Sequence, residues 1–302
     1  MTKLKIGKIS IKNKGILAPM LEYTNLSFRQ LCAENGCELC YTEMVHINHI
    51  VSQPLDTIPE LITKDEDYPT TLQLVGDFTN LKLTREAFEK VELLDFDIID
   101  FNLGCPSPKI AAGNSGASLL DNIKKVAKTI KEIKENNNKP ITAKVRLGYK
   151  QNNISEIVNS LEKANIDAIA IHGRLGIENY SVKSNYFLVE EIAKTTSIPV
   201  IYNGDITAEN YSKFKGIDVF AGLMVGRSAL NDPSIFSLIS EKTQKTKQEN
   251  LKQFIKLAKK YNLEVKNQKS NLLQMVSGFS GARELRAKLA IAKTQEEIDR
   301  LI

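Results

Sequence analysis

Eight short apolar or β-branched runs alternate with helical patterns along residues 1–240, and that count constrains the fold more than any other feature of the chain. The runs are Gly15–Met20, Leu39–Val45, Thr70–Gly76, Ile98–Gly104, Ile141–Gly148, Ala168–Arg174, Pro199–Asp205 and Val219–Arg227. All have strand length and strand composition. Between them lie helical patterns at Ser27–Asn35, Arg85–Leu94, Ile123–Lys134, Ile154–Ala164, Tyr186–Thr195 and Ala208–Phe214. Thr84, Asn122, Asn153, Asn185 and Thr207 stand where N-caps are expected. Strands that alternate with helices pair in parallel. Eight repeats predict a closed (β/α)₈ barrel, since a doubly wound sheet usually has fewer strands.

After Phe236 the pattern changes. Glu241–Asn250 is polar and linker-like, and from Leu251 onward the apolar spacing is helical, with Leu251, Phe254, Ile255, Leu257 and Ala258 on one stripe. The expectation is α/β: a catalytic barrel over 1–240, then a small all-α domain over 241–302. Charge divides at the same boundary. Residues 241–302 hold 14 of the 41 Lys and Arg but 7 of the 36 Asp and Glu, which leaves 27 against 29 in the barrel. A basic terminal segment is the electrostatic footprint expected for a polyanion partner. The opening MTKLKIGK has no apolar core of a leader, and no run nears the roughly 18 apolar residues of a membrane span. A cytoplasmic enzyme without a membrane partner is the expectation, and nothing in the chain points beyond a monomer. The hydrophobic content of 42% is ordinary for such a globular protein.

Cys32, Cys37 and Cys40 have the C-x₄-C-x₂-C spacing of an iron–sulfur loop, with Cys105 as a fourth candidate. The helical and strand patterns over the first three argue against it, so reduced, core-filling thiols and no metal are expected. His46 and His49 share a helical face without a third ligand nearby and are expected at the surface or facing RNA.

Active sites of such barrels lie at the C-terminal ends of the strands. Those ends carry Pro19 and Met20, Glu43, Gln73, Asn102 to Cys105, Lys144 and Arg146, His172 and Arg174, Asn203 to Asp205, and Gly226-Arg227. One polar strand end is usually structural, but eight converging on one mouth make a site. The last two loops carry Gly204, Gly226 and Arg227, which is the usual phosphate position of this fold.

LAPMLEYTNLSFR, TEMV, QLVG, DFNLGCPSPKIAAGNSGASLL, AKVRLG, IHGR, IPVIYNGDI and GLMVGRSALNDPSIF occur in this order from Leu17 to Phe236, followed by SGFSGARELR. The ordered set resembles the tRNA-dihydrouridine synthases. That resemblance implies an FMN-dependent reduction of uridine in tRNA, with NADPH as reductant. It assigns flavin binding to Pro19, Met20, Gln73, Lys144, His172, Asn203, Gly204, Asp205, Gly226 and Arg227, the catalytic acid to Cys105, and uracil contacts to Asn102 and Arg174. The chemistry suits these residue types. The C5=C6 bond of uracil is conjugated to the C4 carbonyl, so hydride adds at C6 and C5 then needs a proton. Thiols ordinarily titrate at about 8.5 and so hold a proton at neutral pH. Lys144 and His172 offset developing negative charge.

The sequence departs from the family where the usual Ala-Gly is Leu21-Glu22, the usual Asp is Asn25, Asp77-Phe78 lacks a proline, and Leu175 and Glu178-Asn179-Tyr180 replace the usual Thr and Gln. Substrate contacts are where those changes fall. Two rival functions are a flavin barrel acting on a free pyrimidine-like metabolite, akin to dihydroorotate dehydrogenase, and a tRNA-binding protein without catalysis.

Overall fold

The computed structural model describes residues 4–58, 61 and 67–302, so the first three residues of the N-terminal stretch lie outside it. A short antiparallel hairpin, β1 (Leu4–Ile6) and β2 (Ile9–Ile11), precedes the barrel. Eight parallel strands follow: β3 (Gly15–Leu17), β4 (Leu39–His46), β5 (Thr70–Val75), β6 (Ile98–Leu103), β7 (Ile141–Arg146), β8 (Ala168–His172), β9 (Val200–Asn203) and β10 (Gly222–Val225). They pair in sequence order, and β10 returns to β3 to close the barrel.

Alternation along the strands decides what fills the interior. Ile16, Leu39, Tyr41, Ile98, Ala168, Ala170, Ile201 and Met224 form the inner apolar cluster, which Ile6 and Ile11 of the hairpin join. Their neighbours Leu17, Cys40, Ile99, Ile169 and Val200 belong instead to the larger core under the helices. One step further along the inward face, the residues turn polar: Gln73, Asp100 and Thr142 are paired across β5, β6 and β7. Asn102 and Lys144 follow one layer higher, and Arg146, His172 and Asn203 are likewise in register across β7, β8 and β9. The barrel is thus apolar at one end and increasingly polar towards the mouth.

The outer helices include α1 (Leu26–Glu34), α2 (Ile47–Ser52), α3 (Leu81–Val91), α4 (Pro108–Ala112), α5 (Ile123–Glu135), α6 (Ile154–Lys163), α7 (Tyr186–Thr195), α8 (Arg227–Asn231) and α9 (Ile235–Ile239). Several boundaries differ from the sequence reading. Asn80 rather than Thr84 caps α3, accepting from Leu83 N–H at 3.2 Å, so the helix starts earlier. Asn185 caps α7 as expected, whereas neither Asn122 nor Asn153 makes a side-chain cap. The helix expected at Ala208–Phe214 is only a 3₁₀ turn, Tyr211–Lys213. Asn210 explains it: its side chain donates to Asp205 O at 2.7 Å and accepts from Thr207 N–H at 2.9 Å. Those bonds fold the segment back on itself, in competition with a helical turn.

The terminal helices are α10 (Lys247–Lys260), α11 (Val265–Met275), α12 (Ala282–Ile291) and α13 (Gln295–Leu301). The expected linker is shorter than its composition suggests, because Thr246 and Glu249 form a capping box that starts α10 at Lys247. These helices share the core of the barrel's outer layer through Leu251, Phe254, Leu257 and Leu272. Phe254 meets Phe28 edge-on at 6.4 Å, and the amide pairs Asn35–Asn250 and Asn25–Asn271 each close at 2.9 Å. Among the described residues no helix is long and apolar enough to cross a membrane.

Cys32, Cys37 and Cys40 are buried, with the sulfurs of the last two 3.7 Å apart. Among the described residues no three His, Cys, Asp or Glu side chains gather in a way that would hold a metal. His46 acts locally, since its Nδ1 accepts from Asn48 N–H at 3.2 Å and so caps α2.

Candidate active site

The polar end of the barrel opens into two adjoining chambers of about 640 and about 420 Å³. Pro19, Met20, Lys144, His172, Tyr180 and Arg227 line both and so form the partition. Asn203, Gly204, Asp205 and Gly226 line the first; Gln73, Asn102 and Cys105 line the second. Every predicted site residue borders this space except Arg174.

The first chamber has a floor of backbone. Gly204 has φ +140°, and a Cβ there would overlap Ser184 Oγ. No side chain fits, so the chain passes close against Ser184 here. Asn203 is pinned from beneath, donating to Met224 O at 2.8 Å. Asp205 takes the left-handed conformation at φ 50° and accepts from Arg174 at 2.6 Å and from Arg227 at 2.9 Å. Burial works against its charge, but the Arg174 bond, the Ser184 N–H and the two guanidinium charges together hold its carboxyl below the usual range. The Arg227 guanidinium also lies over the Tyr180 ring, 4.0 Å from its centre.

Arg174, expected near the uracil, stands behind the chamber wall rather than on it. Only 1% exposed, it lines neither chamber. Its guanidinium is engaged by Asp205, by Val182 O, by Tyr180 O at 3.4 Å and by His172 Nε2 at 2.8 Å. It ties the loop after β8 to the strand ends. A guanidinium only donates, so His172 Nε2 must accept and the ring proton sits on Nδ1. Burial, followed by the charges of Lys144, Arg146, Arg174 and Arg227, drives His172 far below its ordinary pKa, so the ring is neutral.

The second chamber is built around Cys105, which is half-buried at the turn after β6. Asn102 Oδ1 accepts from Gly104 N–H at 3.1 Å and Cys105 N–H at 2.9 Å, which shapes that turn. Arg146, 1% exposed, grips it from the side, donating to Gly104 O at 3.0 Å and to Leu175 O and Glu178 O. Lys144 shares the inward face two residues earlier. Burial, then repulsion by Arg146, pushes its pKa down to about 8, against the pull of Asp100. Asp100 lies one layer deeper, fully buried, and burial pushes its carboxyl up to about 7 despite bonds from Thr142 and Gln73.

Several lining residues have no role assigned in the sequence reading. Met44 reaches the mouth because the β4–β5 register shifts between Tyr41 and Met44, a bulge that re-aims the side chain. Tyr180 stands on the loop after β8, and Arg146 is visible in the sequence only as a strand-end neighbour of Lys144. Gln274 of α11 lines the second chamber and Lys247 of α10 the first, so the terminal helices roof both. Leu21, 50% exposed, stands at the rim, and Glu22 beside it adopts φ 68° with its N–H on Glu43 at 2.5 Å. The departure from the family thus lies on the mouth itself.

Comparison with known proteins finds relatives along nearly the whole chain. A probable tRNA-dihydrouridine synthase of Aquifex aeolicus is 28% identical over 299 residues, covering 95% of this chain and 94% of the relative. One from Helicobacter pylori is 35% identical over 245 residues, covering 78% and 74%. tRNA-dihydrouridine synthase B of Pseudomonas aeruginosa is 32% identical over 242 residues, covering 78% and 71%. Among solved structures, an old yellow enzyme homologue from Zymomonas mobilis superposes with a TM-score of 0.56 at 12% identity, covering 81% of this chain and 93% of that one. A morphinone reductase gives 0.55 at 11% identity, covering 84% and 92%. At such identities these two speak for the barrel alone. The dihydrouridine synthase profile matches residues 16–299, nearly the whole length, and the chain belongs to that family of enzymes.

Proposed function

We propose that this enzyme reduces uridine in tRNA to 5,6-dihydrouridine, using FMN held in the barrel mouth and NADPH as the reductant. The observation that carries this reading is the meeting of a thiol, a lysine and a neutral histidine in the second chamber, which adjoins the first chamber with its Gly204 and Gly226. The residues present fit a flavin mononucleotide. Gly204 and Gly226 allow a phosphate close to the backbone, Arg227 and Lys247 supply positive charge there, and Lys144 and His172 border the partition. Pro19, Met20, Gln73, Asn203 and Asp205 complete the set that would hold the ring and its chain. When bound, FMN supplies a hydride to C6 of the uracil.

The protein's own residues account for the rest. Cys105 gives its thiol proton to C5, so the two additions fall at opposite ends of one double bond. Lys144, cationic below a pKa of about 8, offsets negative charge gathering on the ring oxygens. His172, kept neutral, offers an N–H without adding charge. Asn102 and Arg146 hold the Cys105 turn in place.

A barrel for a free metabolite would not need a roof of basic helices, and Gln274 and Lys247 line the chambers from that roof. A purely RNA-binding protein would not need the Cys105 chamber. The direct test is to map dihydrouridine in tRNA from cells lacking the protein, alongside a purified sample that should be yellow and release FMN on denaturation. Unchanged tRNA modification together with turnover of a free pyrimidine would overturn the assignment.

A further inference from the structure

Beneath the second chamber a single file of hydrogen bonds runs from the barrel centre to the catalytic turn. Thr142 Oγ1 donates to Asp100 Oδ1 at 2.6 Å, and Gln73 Nε2 donates to Asp100 Oδ2 at 2.8 Å. Asn102 Nδ2 donates to Gln73 Oε1 at 2.8 Å, and Cys105 N–H donates to Asn102 Oδ1 at 2.9 Å. Asp100, Gln73 and Asn102 are all buried, and Asp100 and Gln73 face each other in register.

An amide side chain can be turned either way, so something must set its direction. Here both ends of the file are fixed. At the bottom stands Asp100, which above its pKa of about 7 is a carboxylate and accepts only; at the top stand backbone N–H groups, which donate only. Gln73 must therefore turn its NH₂ down and its oxygen towards Asn102. Asn102 must turn its NH₂ towards Gln73 and its oxygen towards Cys105. A donor at position 100 would reverse Gln73 and leave Asn102 with a choice between two mismatches, NH₂ against NH₂ or NH₂ against the Cys105 amide.

We propose that Asp100 is a positioning residue whose carboxylate sets the direction of the Gln73 and Asn102 amides, so that the chamber wall offers N–H donors to a ring carbonyl while Asn102 keeps its oxygen on the catalytic turn. Each NH₂ has two hydrogens and the file uses one. The second on Asn102 lies towards Met44 Sδ at 3.5 Å, a weak acceptor, and both amides border the cavity. A wall of this polarity suits the carbonyl edge of a flavin or a uracil and disfavours an edge bearing ring amino groups. The inference deepens the flavin and uracil reading above and rests on it.

The test is Asp100→Leu, similar in size but without an acceptor (an asparagine could still turn its oxygen to Gln73 while Thr142 Oγ1 accepts), examined at pH 8 with the double variant Asp100→Asn/Gln73→Glu. In the single variant, FMN affinity measured by titrating apoprotein should fall about ten- to a hundredfold, the effect of mismatched buried polar groups. The carbonyl stretching bands of bound FMN should shift towards those of a flavin lacking a donor. Oxidation of the pre-reduced single variant by tRNA should slow as well. In the double variant, the new carboxylate at position 73 accepts both from the new amide at position 100 and from Asn102. The Cys105 turn is thereby restored while the Gln73 donor stays absent. The rate of tRNA-dependent oxidation should then recover relative to the single variant, while FMN affinity stays low. A role confined to packing predicts no such recovery. Should the single variant fail to fold, Gln73→Glu is the reference for the double variant: faster oxidation by tRNA in the double variant than in Gln73→Glu supports the inference, and an equal or slower rate overturns it. Wild-type affinity and carbonyl bands in Asp100→Leu overturn it while leaving the flavin reading intact, whereas a wild-type protein that takes up no FMN removes both.

Discussion

Replacing Cys105 by alanine takes away a proton donor and leaves the Asn102 bond to its backbone N–H in place. The variant should retain FMN, accept electrons from NADPH and bind tRNA, yet form dihydrouridine about 10²–10⁴-fold more slowly, the usual share of a general acid. Single-turnover oxidation of the reduced enzyme by tRNA is the measurement; a wild-type rate would give C5 protonation to another group. Arg227→Ala should weaken FMN binding roughly ten- to a hundredfold, since hydrogen bonds from a charged donor to phosphate are strong. Unchanged affinity would remove Arg227 from the phosphate site. Lys144→Met tests the penalty of a partly buried cation. With its pKa lowered from 10.5 to about 8, Lys144 binds a proton less readily in the folded than in the unfolded state. That penalty is full below about pH 8 and is gone above the unfolded value, so stability from this group rises with pH in between. The apo variant should therefore outlast wild type in urea at pH 7, with the gap closing as pH rises past 8; a constant gap would mean altered packing alone. At this scale the sequence is informative because strand ends announce themselves. It says less at Arg174, because nothing in IHGR tells whether the arginine faces the cavity or the loop behind it.

Strands are legible as elements because their alternation has one physical cause, two faces in two environments. Helix starts are less so, since Asn80 and Thr246 compete with neighbours of equal capping ability and only the fold selects among them. The segment after β9 reads as a helix that does not form, because Asn210 has helical spacing but commits its amide to Asp205 and Thr207. The loop between β9 and that turn is also where backbone strain concentrates. Gly204→Ala forces a Cβ onto Ser184 at a φ that side chains rarely adopt. It should destabilise the protein by roughly 1–3 kcal/mol and reduce FMN affinity in parallel. Thermal melting of the apo and FMN-loaded forms measures both, and a variant as stable as wild type would show that the loop can relax.

The whole molecule binds barrel and helices into one core, so removing residues 241–302 would strip Phe254 from Phe28 and Asn250 from Asn35. Charge reversal is the cleaner test of RNA binding by the helices. Arg283 and Arg286 are exposed on α12, and Arg283→Glu/Arg286→Glu should weaken tRNA binding and flatten its salt dependence, by about 0.7–0.9 in logarithmic slope for each phosphate no longer neutralised. An unchanged slope would place the RNA on another face. Composition foretells a basic terminal segment but not that Gln274 lines the Cys105 chamber, because which helix face meets the mouth is decided by packing across the whole chain. The two amide pairs that fasten that roof have a further consequence. With the aperture set by the fold, the work of bringing a uridine to Cys105 falls on the nucleic acid, which must swing the base out of its stack. The pace of modification should then follow the looseness of the RNA: a site in a supple loop reacts early, and conditions that stiffen the tRNA slow an enzyme whose own shape has not changed.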